Sequence, residues 1–153
     1  EEVPIEFVQH LFSGFENHDF NEKLILFQAS NQLLVKFGIF QDENIELIKN
    51  LLINYSNTDL KDIDYQKYLS DSLADLIGTE KFLEFAKPYV VDSQEIEGMV
   101  YTFINILLIY HNENYTDYSK LGMQVLNNWI TKYPDNQRLI NKQKKFQSVL
   151  NNY

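Results

Sequence analysis

The chain has 153 residues, a formal net charge of −9 and no cysteine. This length suffices for one domain whose core needs no crosslink, and the lack of cysteine excludes disulfides, thiolate zinc sites and cysteine nucleophiles. An acidic surface repels nucleic-acid phosphate and anionic lipid, so we expect no nucleic-acid partner and no membrane partner.

Helices are expected along the whole chain, because 5 Gly and 3 Pro leave few turn signals for a many-stranded β fold. The first helix begins at Pro4, which suits a first helical turn. The second starts near Asp19 or Asn21 and ends at Gly38, a typical C-terminal stop. The third begins at Asp42, because a carboxylate is favourable at a helix N-terminus.

Glycine and threonine mark the next two helices. The fourth helix runs from about Asp62 to Ile77 and is closed by Gly78. Thr79 then caps a short fifth helix, and Pro88 is expected near its end.

The most apolar run of the sequence extends from Ile96 to Tyr110. Eleven of its 15 residues are Ile, Leu, Val, Met, Phe or Tyr, and they fall at every phase of a helical turn. A helix that is apolar on all sides is buried, and this run is shorter than the roughly 20 residues that cross a bilayer. Asp92 and Glu95 resemble a capping box, so we expect the run to form the central core helix.

Two more helices complete the chain. A seventh starts at Thr116 or Asp117 and breaks at Pro134, and an eighth runs from Gln137 to the end. Helices joined by short turns favour antiparallel hairpins. We therefore predict an all-α fold, a single domain spanning residues 1–153 with about eight helices packed as antiparallel hairpins.

One helix resembles part of a known repeat. The small Gly122, the bulky Leu126 and the closing Pro134 recur at the spacings seen in the second helix of a tetratricopeptide repeat. Trp129 stands where that family has alanine, and the chain contains no second copy. The resemblance covers this helix alone and implies helical-hairpin packing with peptide or protein binding.

The three histidines are the first candidates for metal ligands or catalytic residues. Glu6 and His10 are four residues apart, as are His18 and Glu22, so each pair supplies half of a possible metal site. Neither pair has a third ligand at a suitable spacing, which favours structural helix contacts. The chain also lacks a phosphate loop and a nucleophile motif. We therefore predict no catalytic residues, no metal, no cofactor, no small-molecule substrate and no enzyme activity.

The fourth helix carries the most distinctive surface pattern. Its exposed stripe combines carboxylates with one tyrosine, and the preceding turn adds two more carboxylates. Tyrosine supplies rigid contact area, and carboxylates steer association with a basic protein. A solvated face without a partner is the alternative interpretation. The predicted partner-binding residues are Asp59, Asp62, Asp64, Tyr68, Asp71 and Asp75.

Two functional hypotheses follow from these patterns. The first is a non-enzymatic, cytoplasmic protein whose acidic face engages a basic protein partner, as an inhibitor or immunity-type neutraliser does. The second is a helical-hairpin scaffold or regulatory domain, similar to tetratricopeptide or HEAT repeats and excised from a longer protein, that binds a peptide in a groove. The start at Glu1 instead of methionine motivates the second hypothesis.

Overall fold

The computed structural model describes residues 4–14, 17–55, 63–92, 97–110 and 113–151. Within these ranges the chain forms α-helices and no strand, which confirms the all-α prediction. A short 3-10 helix, Glu113–Tyr115, precedes α7. The helices are α1 (Ile5–Phe12), α2 (Phe20–Phe37), α3 (Gln41–Tyr55), α4 (Ile63–Ile77), α5 (Thr79–Asp92), α6 (Glu97–Ile109), α7 (Thr116–Lys132) and α8 (Gln137–Asn151).

Local capping chemistry sets both ends of α2. The Asp19 carboxylate accepts the backbone N–H of Glu22 at 2.9 Å, and the Glu22 carboxylate accepts the backbone N–H of Asp19 at 3.3 Å. This reciprocal capping box satisfies two N–H groups that have no partner inside the helix. Gly38 ends the helix in the left-handed conformation, at φ 68°, which glycine adopts without strain. The predicted start and stop of α2 are confirmed.

Pro88 lies inside α5 and near its end, as expected. The helix continues for four residues past the proline, to Asp92. Proline removes one N–H bond from a helix, but packing of the next turn offsets this loss, and Val90 is fully buried in that turn. Asp92 was predicted to cap the central helix together with Glu95, but it is the last residue of α5, and Glu95 lies outside the described residues.

The helices group into two compact units, Glu1–Gly78 and Thr79–Tyr153. In the first unit, α2 packs on α1 and α3, and α3 packs on α4. This unit has an aliphatic and aromatic core, and that core includes Leu26, Phe27, Leu47, Ile48, Leu51, Leu69 and Leu73. The prediction of a single domain stays a prediction.

Buried polar contacts join α2 to α3 within this core. The Lys23 ammonium donates to Asn50 Oδ1 at 2.6 Å, although Lys23 is almost fully buried. The Ser30 hydroxyl donates to Asn44 Oδ1 at 2.8 Å, and both residues are fully buried. Buried polar groups need such partners, so these bonds fix how α2 and α3 are aligned.

The second unit is organised around α6, which contacts α5, α7 and α8. Phe103, Ile104 and Leu107 of this helix are fully buried, as its all-round apolar pattern predicts. The burial ends at the last turn, where Ile109 is 68% exposed. Within the described ranges, no helix is both long enough and apolar enough to cross a membrane.

Gly122 lies at a close approach of α7 to α6 and α8. A Cβ atom at this position would lie 3.0 Å from Phe146 Cζ on α8 and 3.5 Å from Leu107 Cδ1 on α6. Nearby on α7, the Trp129 ring packs against Tyr101, with ring centroids 5.0 Å apart. The small residue thus allows the close packing of α7 against both helices, as expected for a helical hairpin.

Candidate functional site

The structure describes the side chains of three of the six predicted partner-binding residues. Asp59 and Asp62 lie outside the described residues. Asp64 is the second residue of α4, and only its backbone is described. Tyr68, Asp71 and Asp75 lie on the same helix, and below we call these three residues the α4 surface.

The α4 surface is accessible to solvent. Tyr68 is 49% exposed, the Asp71 side chain is 46% exposed, and Asp75 is exposed. Leu69 and Leu73 are fully buried, as the helical pattern predicts. The helix therefore separates a charged side from a core side, and binding of a partner at the charged side stays a prediction.

Tyr68 is anchored at one edge by the core. Its ring meets Phe27 of α2 edge to face, with centroids 6.3 Å apart and planes at 74°. Phe27 is 1% exposed, so it provides a fixed wall for the tyrosine. Edge-to-face aromatic pairs are favourable, and a ring that is already held loses little conformational freedom on binding. The exposed half of Tyr68 is thus presented in a restricted orientation.

Lys67 brings a positive charge next to the predicted row of carboxylates on α4. Its Nζ lies 2.9 Å from Asp71 Oδ2, an ion pair between residues four apart on α4. Both side chains are 40% or more exposed, so solvent screens the pair, which contributes about 0.3–0.5 kcal/mol. The sequence analysis missed Lys67, although its spacing from Asp71 is the signal for such a pair.

The net charge is distributed unequally between the two units. Glu1–Gly78 contains 14 Asp and Glu against 5 Lys, a formal charge of −9. Thr79–Tyr153 contains 8 acidic and 8 basic residues, a formal charge of zero. The first unit therefore carries the whole formal net charge of the protein, and the α4 surface belongs to that unit.

His18 makes structural contacts with both ring nitrogens. Its Nε2 lies 2.6 Å from the Leu11 carbonyl oxygen, in the last turn of α1, and its Nδ1 lies 3.4 Å from Glu22 Oε2. The ring thus connects the end of α1 to the start of α2, as the structural interpretation predicts. Among the described residues, no three potential ligands from His, Asp and Glu are grouped to hold a metal.

The second unit contains a concave feature that the sequence analysis did not identify. A cavity of about 330 Å³ is lined by Glu80 and Glu84 of α5, Asn114 and Tyr115 of the 3-10 helix, and Tyr118 of α7. We call it the tyrosine-glutamate cavity. The two glutamates are four residues apart on α5 and so share one face of that helix.

The aromatic side of this cavity is an edge-to-face cluster. The rings of Tyr115 and Tyr118 have centroids 6.3 Å apart and planes at 69°. Tyr118 also meets Phe103 of α6 edge to face, at 6.1 Å. Since Phe103 is fully buried, the core of the second unit supports the position of Tyr118.

Glu84 and Glu80 affect the pKa of the Tyr118 phenol. The pKa of Tyr118 is raised above its ordinary value of 10.0, first by burial and then by the negative charges of Glu84 and Glu80. Burial and a nearby negative charge both disfavour the tyrosinate anion. The two carboxylates thus add to the effect of burial on the Tyr118 phenol.

Replacing Glu84 with glutamine is expected to lower the pKa of Tyr118 toward 10.0. The substitution keeps the shape of the side chain but removes the larger of the two carboxylate effects on the phenol. An NMR titration of the Tyr118 ring signals measures this pKa. Glu43→Gln in α3 is the charge-matched control and should leave the value unchanged. An equal shift in both variants would contradict a local effect of Glu84.

Comparison with protein families, with curated proteins and with solved structures gives no match for this chain. Function is therefore inferred from the contacts, exposure and charge of the described residues.

Proposed function

We propose that this protein binds a basic protein partner through the α4 surface, as a non-enzymatic inhibitor or immunity-type neutraliser. The half-exposed Tyr68, anchored on Phe27 beside the carboxylates of Asp71 and Asp75, is the observation that carries the proposal. Asp59, Asp62 and Asp64 extend the proposed surface along the sequence.

Tyrosine and carboxylate have different roles in this proposal. An anchored aromatic side chain contributes contact area at the centre of an interface, where few residues supply most of the affinity. Carboxylates around it attract a positively charged partner and select against acidic ones. The first unit as a whole, these carboxylates included, has a formal charge of −9, which favours rapid association with a basic partner at low salt.

A positively charged partner can displace Lys67 from its ion pair with Asp71. An exposed pair of this kind is weak, so an arginine of the partner replaces Lys67 at little cost. Arginine binds a carboxylate with two parallel hydrogen bonds, whereas lysine offers a single charge centre. Arginine-rich partners are therefore favoured at Asp71 over lysine-rich ones.

The double variant Asp71→Lys with Asp75→Lys is expected to reduce partner capture by about 10- to 100-fold. Reversing two charges beside Tyr68 replaces attraction with repulsion. Immobilised wild-type and variant proteins are compared in capture experiments on lysate of the source cell, and retained proteins are quantified by mass spectrometry. Far-UV circular dichroism should show equal helix content in both proteins.

The matched control is Glu43→Lys with Glu46→Lys, which reverses two exposed charges of α3 in the same unit. It changes the net charge equally and should retain the partner. The captured partner should be basic and should be released near 1 M salt, where the Debye length is about 3 Å. Equal loss in both double variants, or retention in both, would contradict a specific role of the α4 surface.

A peptide-binding helical scaffold is the second candidate. It is favoured by large apolar residues that α2 exposes, namely Ile25, Val35 and Phe37. Apolar recognition is insensitive to screening, so capture that persists near 1 M salt and in the Asp71→Lys, Asp75→Lys variant would favour the scaffold.

A further inference from the structure

The tyrosine-glutamate cavity combines two chemical groups that attract organic cations. Glu80 and Glu84 supply two negative charges, and both residues are exposed. Tyr115 and Tyr118 supply aromatic rings, whose faces attract ammonium and guanidinium groups. Carboxylates attract any cation, but aromatic faces favour one with apolar substituents that also gains from contact with the rings.

The Tyr118 ring already accepts one ammonium group of the protein. Lys87 Nζ lies 5.7 Å from the ring centroid, within the range of a cation-π contact. Lys87 is not among the described residues that line the cavity. The contact shows that the surroundings of this ring are compatible with a positive charge.

Two helix N-termini oppose a cation here, because α5 begins at Thr79 and α7 begins at Thr116. Each N-terminus is equivalent to roughly half a positive charge, and the effect fades within the first turn. Glu80 and Glu84 carry two full negative charges, of which the Lys87 ammonium beside Tyr118 offsets one. Burial is the largest cause of the raised pKa of Tyr118, and the negative charges of Glu84 and Glu80 add to it.

The volume of the cavity and the residues that line it further restrict which molecule it binds. A volume of about 330 Å³ lies at the small end of ligand pockets, which suits a side-chain-sized group. An anion would meet two carboxylates, and the described residues provide no group of three metal ligands. We propose that the tyrosine-glutamate cavity binds an alkylammonium group, held by Glu80 and Glu84 and packed against Tyr115 and Tyr118.

This site is independent of the proposed partner surface. The cavity belongs to Thr79–Tyr153, whereas the α4 surface belongs to Glu1–Gly78. Substitutions at Asp71 and Asp75 leave the cavity residues unchanged, so failure of one proposal does not imply failure of the other.

The test is a titration of the full chain with n-butylammonium, followed by amide NMR signals. We expect saturable shifts at residues 79–84 and 113–118, with a dissociation constant on the order of 1 mM, typical of a ligand with few atoms. The uncharged n-butanol should produce no saturable shift at these residues. Absence of saturable shifts up to about 100 mM n-butylammonium overturns the proposal.

Three variants locate the binding. Glu80→Gln with Glu84→Gln should weaken affinity at least about tenfold, since both charges are lost. Tyr115→Leu, which keeps apolar volume, should weaken affinity about two- to fivefold through loss of the ring. Glu43→Gln with Glu46→Gln, matched in charge but placed on α3, should bind like the wild type. Equal affinity in the two double variants overturns the proposal.

The same titration distinguishes two sources of the ammonium group. A Gly-Lys-Gly peptide, blocked at both ends, presents the group as a lysine side chain. Binding at least as tight as that of n-butylammonium assigns the cavity to lysine of a protein, and weaker binding assigns it to a free amine. Failure of both ligands to bind contradicts the proposal.

Discussion

Replacing Phe103 with alanine is expected to lower the free energy of unfolding of the second unit by about 3–5 kcal/mol. Phe103 is fully buried in α6, the helix that contacts α5, α7 and α8. The loss combines the transfer of the ring out of water with the cavity left behind. It also removes the edge-to-face contact that supports Tyr118.

Urea unfolding followed by Trp129 fluorescence measures this change. Trp129 is the single tryptophan of the chain and lies in the second unit, largely buried against Tyr101. The control is Ile109→Ala on the same helix, where the side chain is 68% exposed and a change within about 0.5 kcal/mol is expected. A loss for Phe103→Ala no larger than that of Ile109→Ala would contradict the central position of Phe103.

Replacing Gly122 with leucine is expected to lower the free energy of unfolding by about 2–3 kcal/mol. The first added carbon already lies 3.0 Å from the buried Phe146 ring, closer than normal contact, and 3.5 Å from Leu107. A leucine side chain therefore forces α7 away from its neighbours or drives both side chains out of their rotamers. The same urea titration measures the loss.

Two controls separate crowding from other effects at Gly122. Gly122→Ala gains about 1 kcal/mol of helix propensity, which offsets the smaller displacement of Phe146, so a net change within about 1 kcal/mol is expected. Gln124→Leu adds leucine at an exposed position of the same helix and should be nearly neutral. Equal stability of Gly122→Leu and Gln124→Leu would contradict the close approach at Gly122.

Local sequence signals predicted the helices well. Asp19 and Gly38 mark the ends of α2 because a carboxylate cap and a left-handed glycine act on the backbone next to them. The same holds for Gly78, which has φ 91° and separates α4 from α5. Such effects depend on neighbours in the sequence and are readable without the fold.

Features that depend on packing were harder to predict. The expected position of Pro88 near the end of α5 is confirmed, but no local signal reports the burial of Val90 in the turn that follows the proline. Glu84 and Tyr118 meet in one cavity although they are more than 30 positions apart in the sequence. Periodicity assigns a residue to one side of its own helix, but it does not reveal which helix packs opposite.

The split of charge between the units affects how each behaves in solution. A fragment Thr79–Tyr153 would carry no formal net charge near neutral pH, so its copies would repel each other least under these conditions. The net negative charge by which copies of the whole chain repel each other belongs to Glu1–Gly78. Colloidal stability of this protein is thus a property of its first half, and proteolytic separation of the halves would leave the second prone to precipitate.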